Sequence, residues 1–233
     1  MIKIHATGSS GNFYSLETST GTLLLECGIH IKKIKEALDY DLSKVIGCLL
    51  THEHKDHSKS AKDIIKCGID IYGSKGTGEE ISLIDNYRYK VVEHNKSFNI
   101  EDFTIIPFDT QHDVSQPFGY IIYHKELGKI LFITDSYYVK NRFNNCDHIL
   151  IECNYSEDFI PLMPVWKAKR TIATHMSLET LKETLSCWDL TETKDITLIH
   201  ISGDNGDPPR YRREIEELTG IKTYIGEGGL TIE

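Results

Sequence analysis

Thr51-His52-Glu53-His54-Lys55-Asp56-His57 is the stretch on which the reading of this chain turns. Three imidazoles and the Asp56 carboxylate crowd into six residues. Such a group is costly to pack unless something organises it. The stretch follows the apolar, strand-like run 46–50 and precedes a helical pattern. In an extended turn, residues two apart project to the same side, so His52 and His54 can converge on one ion. Once the chain bends, Asp56 and His57 can serve a second ion or a neighbouring position. Neutral imidazole and carboxylate suit zinc, manganese or iron. A solvated polar loop is the bland alternative; the density of the cluster and its place at a strand end argue against it.

Working outward, the same placement recurs. His112 follows the strand-like run 103–108, Asp135 follows 129–133, and His200 closes 196–199. His175 follows Thr171-Ile172-Ala173-Thr174, read here as a further apolar strand. Sheets gather active sites at the carboxyl ends of strands, where loops converge. Taken singly, a His or Asp at a strand end is more often a turn residue or a satisfied hydrogen bonder. Together with the hexapeptide, the balance reverses.

The remainder of the 233 residues supports a layered α/β (α+β) fold. Short runs rich in Ile, Leu, Val, Phe and Tyr, bounded by Gly, Asn or Asp, predict strands at 2–6, 12–17, 22–27, 46–50, 70–73, 103–108, 119–124, 129–134, 148–153, 196–200 and 222–225. Gly8-Ser-Ser-Gly-Asn12 reads as the turn between the first two. Helical spacing appears at Ile31, Ile34 and Leu38, and at Ile64 and Ile65. It returns at Leu178, Leu181, Leu185 and Trp188 behind Ser177, a good N-cap. The last helix is capped by Asp207, opens on Pro208, turns Tyr211, Ile215 and Leu218 inward, and ends at Gly220. No repeat or linker divides the chain, so a single domain over 1–233 is expected.

Composition narrows the function classes. No apolar run approaches the roughly eighteen residues of a membrane span, and the N-terminus lacks the apolar block of a secretory signal. The six cysteines, at 27, 48, 67, 146, 153 and 187, form no C-x-x-C pair and fit reduced cytoplasmic thiols. The net charge of −9 repels nucleic acid overall, so a phosphate-bearing partner needs a local patch. Candidate patches are Lys167, Lys169 and Arg170 before His175, and the Arg210-Tyr211-Arg212-Arg213 run after His200. Arg212 with Glu216 and Arg213 with Glu217 also have the spacing of ordinary helix ion pairs. Tyr137, Tyr138 and Trp166 could grip a base, although core packing is the commoner fate of aromatics.

These residues resemble the metallo-β-lactamase fold superfamily of binuclear hydrolases. The marker is His52-x-His54-x-Asp56-His57, followed in order by His112, Asp135 and His200. The Gly8–Asn12 turn, Thr22-Leu-Leu-Leu-Glu-Cys-Gly28 and two late His-x-Ser motifs, at His175 and His200, are similar to its small nuclease-like and phosphodiesterase-like branch. That branch includes YycJ/WalJ-type proteins, ribonuclease Z and the phosphonate-operon phosphodiesterase. The resemblance implies a four-layer αββα sandwich and two divalent metal ions at one edge. It assigns His52, His54 and His112 to the first ion, Asp56, His57 and His200 to the second, Asp135 as bridge, and His175 as a nearby proton donor. Glu26 stands where the family usually has Asp, beneath the ligands. No cysteine falls at a ligand position, which disfavours β-lactam hydrolysis, and His54 in place of Glu disfavours the flavodiiron redox branch.

The expected activity is hydrolysis of a phosphodiester, nucleic acid included, with Asp56 orienting the nucleophile and His175 protonating the leaving group. A thioester hydrolase of the glyoxalase II type and a non-catalytic metal-binding protein are the rivals. Oligomeric state is left open, a homodimer included.

Overall fold

The computed structural model describes residues 1–233, which form two compact units. The first comprises 1–109, 114–127 and 227–233; the second comprises 110–113 and 128–226.

In the first unit, β1 (Ile2–Ala6) pairs antiparallel with β2 (Phe13–Glu17), and β2 with β3 (Thr22–Leu25). α1 (Ile31–Ala37) then leads into β4 (Val45–Leu49), which lies parallel to β3. The short helices α2 (Lys55–Ser58) and α3 (Ala61–Lys66) connect to β5 (Ile71–Gly73). α4 (Lys75–Glu80) connects to β6 (Tyr89–Val91), and β4, β5 and β6 are mutually parallel. Continuous apolar runs such as Leu23-Leu24-Leu25 suit this middle of the sheet, where both faces are covered. One face packs on Ile34 of α1 and Ile64 and Ile65 of α3. A three-stranded antiparallel ribbon follows: β7 (Phe98–Ile100), β8 (Phe103–Asp109) and β9 (Phe118–His124). It is fastened to the end of β4. Tyr120 Oη donates to the Leu50 carbonyl at 2.7 Å and Phe118 N–H to the Thr51 carbonyl at 3.0 Å.

The second unit is built on four parallel strands. β10 (Gly128–Ile133), β11 (His148–Glu152), β12 (Asp195–Ile199) and β13 (Lys222–Ile225) pair in chain order. A 3-10 turn (Glu157–Leu162), α5 (Val165–Thr174) and α6 (Leu178–Ser186) cross from β11 to β12, and α7 (Pro208–Thr219) crosses to β13. Ser177 caps α6 by accepting from Thr180 N–H, with Leu178, Leu181 and Leu185 buried. Asp207 caps α7, Pro208 starts it, and left-handed Gly220 (φ 70°) ends it. The last strand, β14 (Leu230–Ile232), returns to the first unit antiparallel to β1.

Three expectations are corrected. Thr171–Thr174, read as a strand from its β-branched residues, is the last turn of α5, so His175 caps a helix. Tertiary placement overrides β-propensity there. Leu218 lies one turn beyond the last buried position of α7 and is 42% exposed. Tyr137, Tyr138 and Trp166 are exposed, not packed in the core. All six cysteines are free thiols, and no helix is long and apolar enough to cross a membrane.

Candidate metal centre

In the first unit, β4 delivers the histidine stretch. The chain leaves the sheet at Leu50 and Thr51, bends at His54, and begins α2 at Lys55. His52 and His57 are buried with ring centroids 4.1 Å apart, and His54 sits 4.9 Å from His52. Asp56 Oδ2 lies 3.6 Å from His57 Nε2. His52, His54, Asp56 and His57 are thus brought together within one turn and a half of chain.

Two other motifs hold that turn from beneath. Glu26, fully buried at φ 63°, accepts a very short hydrogen bond from Thr51 Oγ1, which sits 2.9 Å from His52 Nδ1. The same Glu26 oxygen faces His57 Nδ1 at 3.4 Å. Asn12, on the Gly8–Asn12 turn, donates through Nδ2 to the Asp56 carbonyl at 3.1 Å and lies 3.1 Å from His57 Nε2. Its own N–H donates to the same carbonyl at 2.7 Å. A Cβ on Gly28 would fall 1.6 Å from that oxygen, so only glycine fits the approach. Glu53 points the other way and ties the stretch down by accepting from Ser115 N–H at 2.8 Å.

In the second unit, the parallel register does the gathering. Ile133 pairs with Ile151, and Glu152 with Ile199, so the residues that follow emerge side by side. Asp135, Glu152 and His200 therefore share one sheet edge. His200 adopts φ 54°, the left-handed turn that folds it back over that edge. Its Nε2 lies 3.4 Å from Asp135 Oδ1. His112, carried on 110–113, places Nε2 3.7 Å from Asp135 Oδ2. His175, capping α5, places Nδ1 3.8 Å from that oxygen. Ligand atoms of Asp135, Glu152, His175 and His200 all lie within 4.8 Å of one another.

Glu152 was not singled out in the sequence, yet it organises this edge. Fully buried, it accepts from His175 Nδ1 at 2.7 Å, Ser136 N–H at 2.9 Å and Met176 N–H at 3.1 Å, and lies 3.2 Å from His200 Nδ1. Burial pushes its pKa up, but the facing His175 and the hydrogen bonds from both imidazoles outweigh that and hold it below its ordinary value. Reciprocally, burial lowers His175, and the Glu152 carboxylate more than reverses the shift, leaving it raised. His112 is lowered by burial, against the pull of Asp135. The signal was available: Glu152 ends a buried strand, as Asp135 and His200 do.

A protein-family model described as a beta-lactamase superfamily domain matches residues 22–201. The chain belongs to the β-lactamase superfamily. A superfamily relative, exodeoxyribonuclease WalJ of Streptococcus pneumoniae serotype 2 (strain D39 / NCTC 7466), is 30% identical over 223 residues, covering 87% of this chain and 81% of its own. Exodeoxyribonuclease YycJ of Bacillus anthracis is 28% identical over 243 residues, covering 95% and 90%. Among solved structures, the metallo-β-lactamase fold protein YhfI of Bacillus subtilis superposes with a TM-score of 0.79 at 17% identity, covering 98% of this chain and 97% of that one. The superfamily's fold, expected from the residues, is thus the fold of this chain.

The donor set fits a divalent metal, as a superfamily member's should. His112 Nδ1 lies 2.9 Å from the Thr174 carbonyl and His175 Nδ1 is held by the Glu152 carboxylate. Neither oxygen carries a proton, so each Nδ1 donates, which leaves Nε2 of His112 with a lone pair and Nε2 of His175 as the atom that takes up or releases a proton. His200 Nδ1 against Glu152, and His52 Nδ1 against Thr51, whose hydroxyl proton already goes to Glu26, follow the same logic. Orientation of imidazoles from behind by carboxylate or carbonyl is the usual second layer of a metal site.

Proposed function

We propose that this protein is a metal-dependent nuclease or phosphodiesterase using two divalent ions. His52, His54 and His112 would hold the first and Asp56, His57 and His200 the second, with Asp135 shared between them. The observation that carries this reading is the set of imidazoles, those of His52, His112 and His200, whose Nδ1 atoms are engaged from behind, which turns Nε2 into a metal donor in each. The exodeoxyribonuclease relatives make DNA the first substrate to test. Zinc, manganese and iron all suit these donors.

When bound, the ions supply an acidified water and offset charge growing on the phosphate oxygens. The chain's own residues do the rest. The Asp56 carboxylate aligns the attacking oxygen. His175 delivers a proton to the leaving oxygen from Nε2, since Glu152 holds Nδ1–H. Glu152 favours the protonated ring, which is the form a general acid requires. Glu26 and Glu152 stop the imidazoles from turning.

Metal-loaded protein is expected to turn over bis-p-nitrophenyl phosphate and end-labelled DNA in preference to S-lactoylglutathione. Turnover of the thioester alone removes the nuclease reading. Anomalous scattering at the iron, manganese and zinc edges counts and identifies the ions.

A further inference from the structure

The segment 159–174 contains Lys167, Lys169 and Arg170 and no Asp or Glu, in a chain whose net charge is −9. Within it, Trp166, Lys169, Arg170 and Ala173 on α5 follow the i, i+3, i+4, i+7 rule and therefore share one helix face. All four are exposed, whereas Thr171 and Thr174 turn the opposite side inward. Trp166 is 71% exposed, an unusual state for the most costly apolar surface to leave in water. Leu162, Val165 and Ile172 extend the exposed apolar surface beside it. Lys167 is answered by Asp204 at 3.0 Å, but Lys169 and Arg170 are paired with no acid. The helix ends at His175. His175 lies nine positions after Trp166, about 13 Å along the axis. That is about four stacked nucleotides at roughly 3.4 Å each.

We propose that this face of α5 binds a single-stranded stretch of polynucleotide, with Trp166 stacking on a base and Lys169 and Arg170 gripping phosphates, and leads the strand toward His175. An indole beside two unanswered cations is the combination that binds single strands without regard to sequence, because every base has a π-face and every linkage a charge. A purely apolar partner would leave both cations unanswered. The inference rests on the phosphodiesterase reading for what happens at His175, but the binding surface can be tested separately.

The test uses the metal-loaded full chain and short single-stranded oligothymidylate and oligouridylate, with phosphorothioate linkages for binding and natural linkages for cleavage. The chain has two tryptophans, and Trp188 is buried with Nε1 donating to the Asn141 carbonyl, so quenching of emission by a stacked base reports Trp166. Trp166→Ala should raise the oligonucleotide Kd and KM about tenfold, and Trp166→Phe should restore most of the loss. Lys169→Ala with Arg170→Ala should reduce the slope of log Kd against log salt by about 1.4, two phosphate contacts at roughly 0.7 each. Turnover of bis-p-nitrophenyl phosphate, too short to reach α5, should be unchanged in all of these, and Lys32→Ala on α1 should change nothing. A preference for thymidylate or for uridylate says which of the two nucleotides the surface favours; either outcome supports the surface. Wild-type oligonucleotide affinity in both the Trp166 and the double cation variants overturns it. So does sedimentation as a dimer that Trp166→Ala dissolves, since the face is then covered by a second copy. Absence of bis-p-nitrophenyl phosphate turnover in the unaltered protein, with quenching intact, defeats the activity reading and leaves the surface standing.

Discussion

The two groups of candidate ligands are assembled in opposite ways. In the first unit, His52, His54, Asp56 and His57 lie within six consecutive residues, and their geometry is that of one bend between β4 and α2. In the second, His112, Asp135, Glu152, His175 and His200 come from five separate segments: Asp135, Glu152 and His200 meet because β10, β11 and β12 run parallel in register, and His112 after β8 and His175 at the end of α5 join them. A local bend is specified by neighbouring residues and needs only propping. A distributed cluster is specified by the whole sheet, so its precision depends on strand pairing far from the chemistry. Both nonetheless use the same device, a fully buried glutamate beneath the imidazoles: Glu26 in one and Glu152 in the other.

The sharpest way to break this comparison is to remove one ligand from each group. His54→Ala and Asp135→Asn should each reduce diester turnover to background and lower bound metal, measured by atomic emission on the purified protein. Loss in one variant with full metal and activity in the other would mean that only one group is a metal site. Next in size is His175→Ala. It should retain metal but slow turnover by about 10² to 10⁴, most for substrates with poor leaving groups. If it sheds metal as readily as His54→Ala, His175 is a ligand and not an acid.

The smallest effect compares the two props. Glu152→Gln and Glu26→Gln should each weaken metal affinity by about 10- to 100-fold. Glu152→Gln should cost more turnover, because Glu152 backs the proton donor His175 as well as the ligand His200 and also accepts from two backbone N–H groups. It should in addition move the alkaline limb of the pH–rate profile to lower pH. The carboxylate raises the His175 pKa, so its removal lowers that pKa and narrows the pH range over which His175 stays protonated. Glu152→Asp should recover part of both losses. Equal turnover losses with no change in pH profile would reduce Glu152 to a packing role.

The sequence made the local bend fully readable, since the chemistry and the spacing are contiguous. It also exposed Asp135 and His200, because each follows a buried apolar strand whose β character is strong. Glu152 escaped because its strand was extended one residue too far, through Cys153, which hid the carboxylate inside an element instead of at its edge. The register that unites Asp135, Glu152 and His200 has no signature in any one segment. The helices α4 and α5 were missed for different reasons. Lys75-Gly76-Thr77-Gly78 lacks an apolar stripe, its glycines being packed against Tyr89 and Ser115. Thr171-Ile172-Ala173-Thr174 looks extended by composition. The strands β6, β7 and β14 are three residues each, too short for alternation to register.

The side-by-side emergence of β10, β11 and β12 also sets where this molecule can change length. Adding or deleting one residue inside any of these three rungs turns its terminal functional group to the opposite face of the pleat. The segments that enter those strands at the far end, before Gly128, His148 and Asp195, carry no such constraint. Inserted sequence, whether acquired by evolution or added as a tag, belongs there.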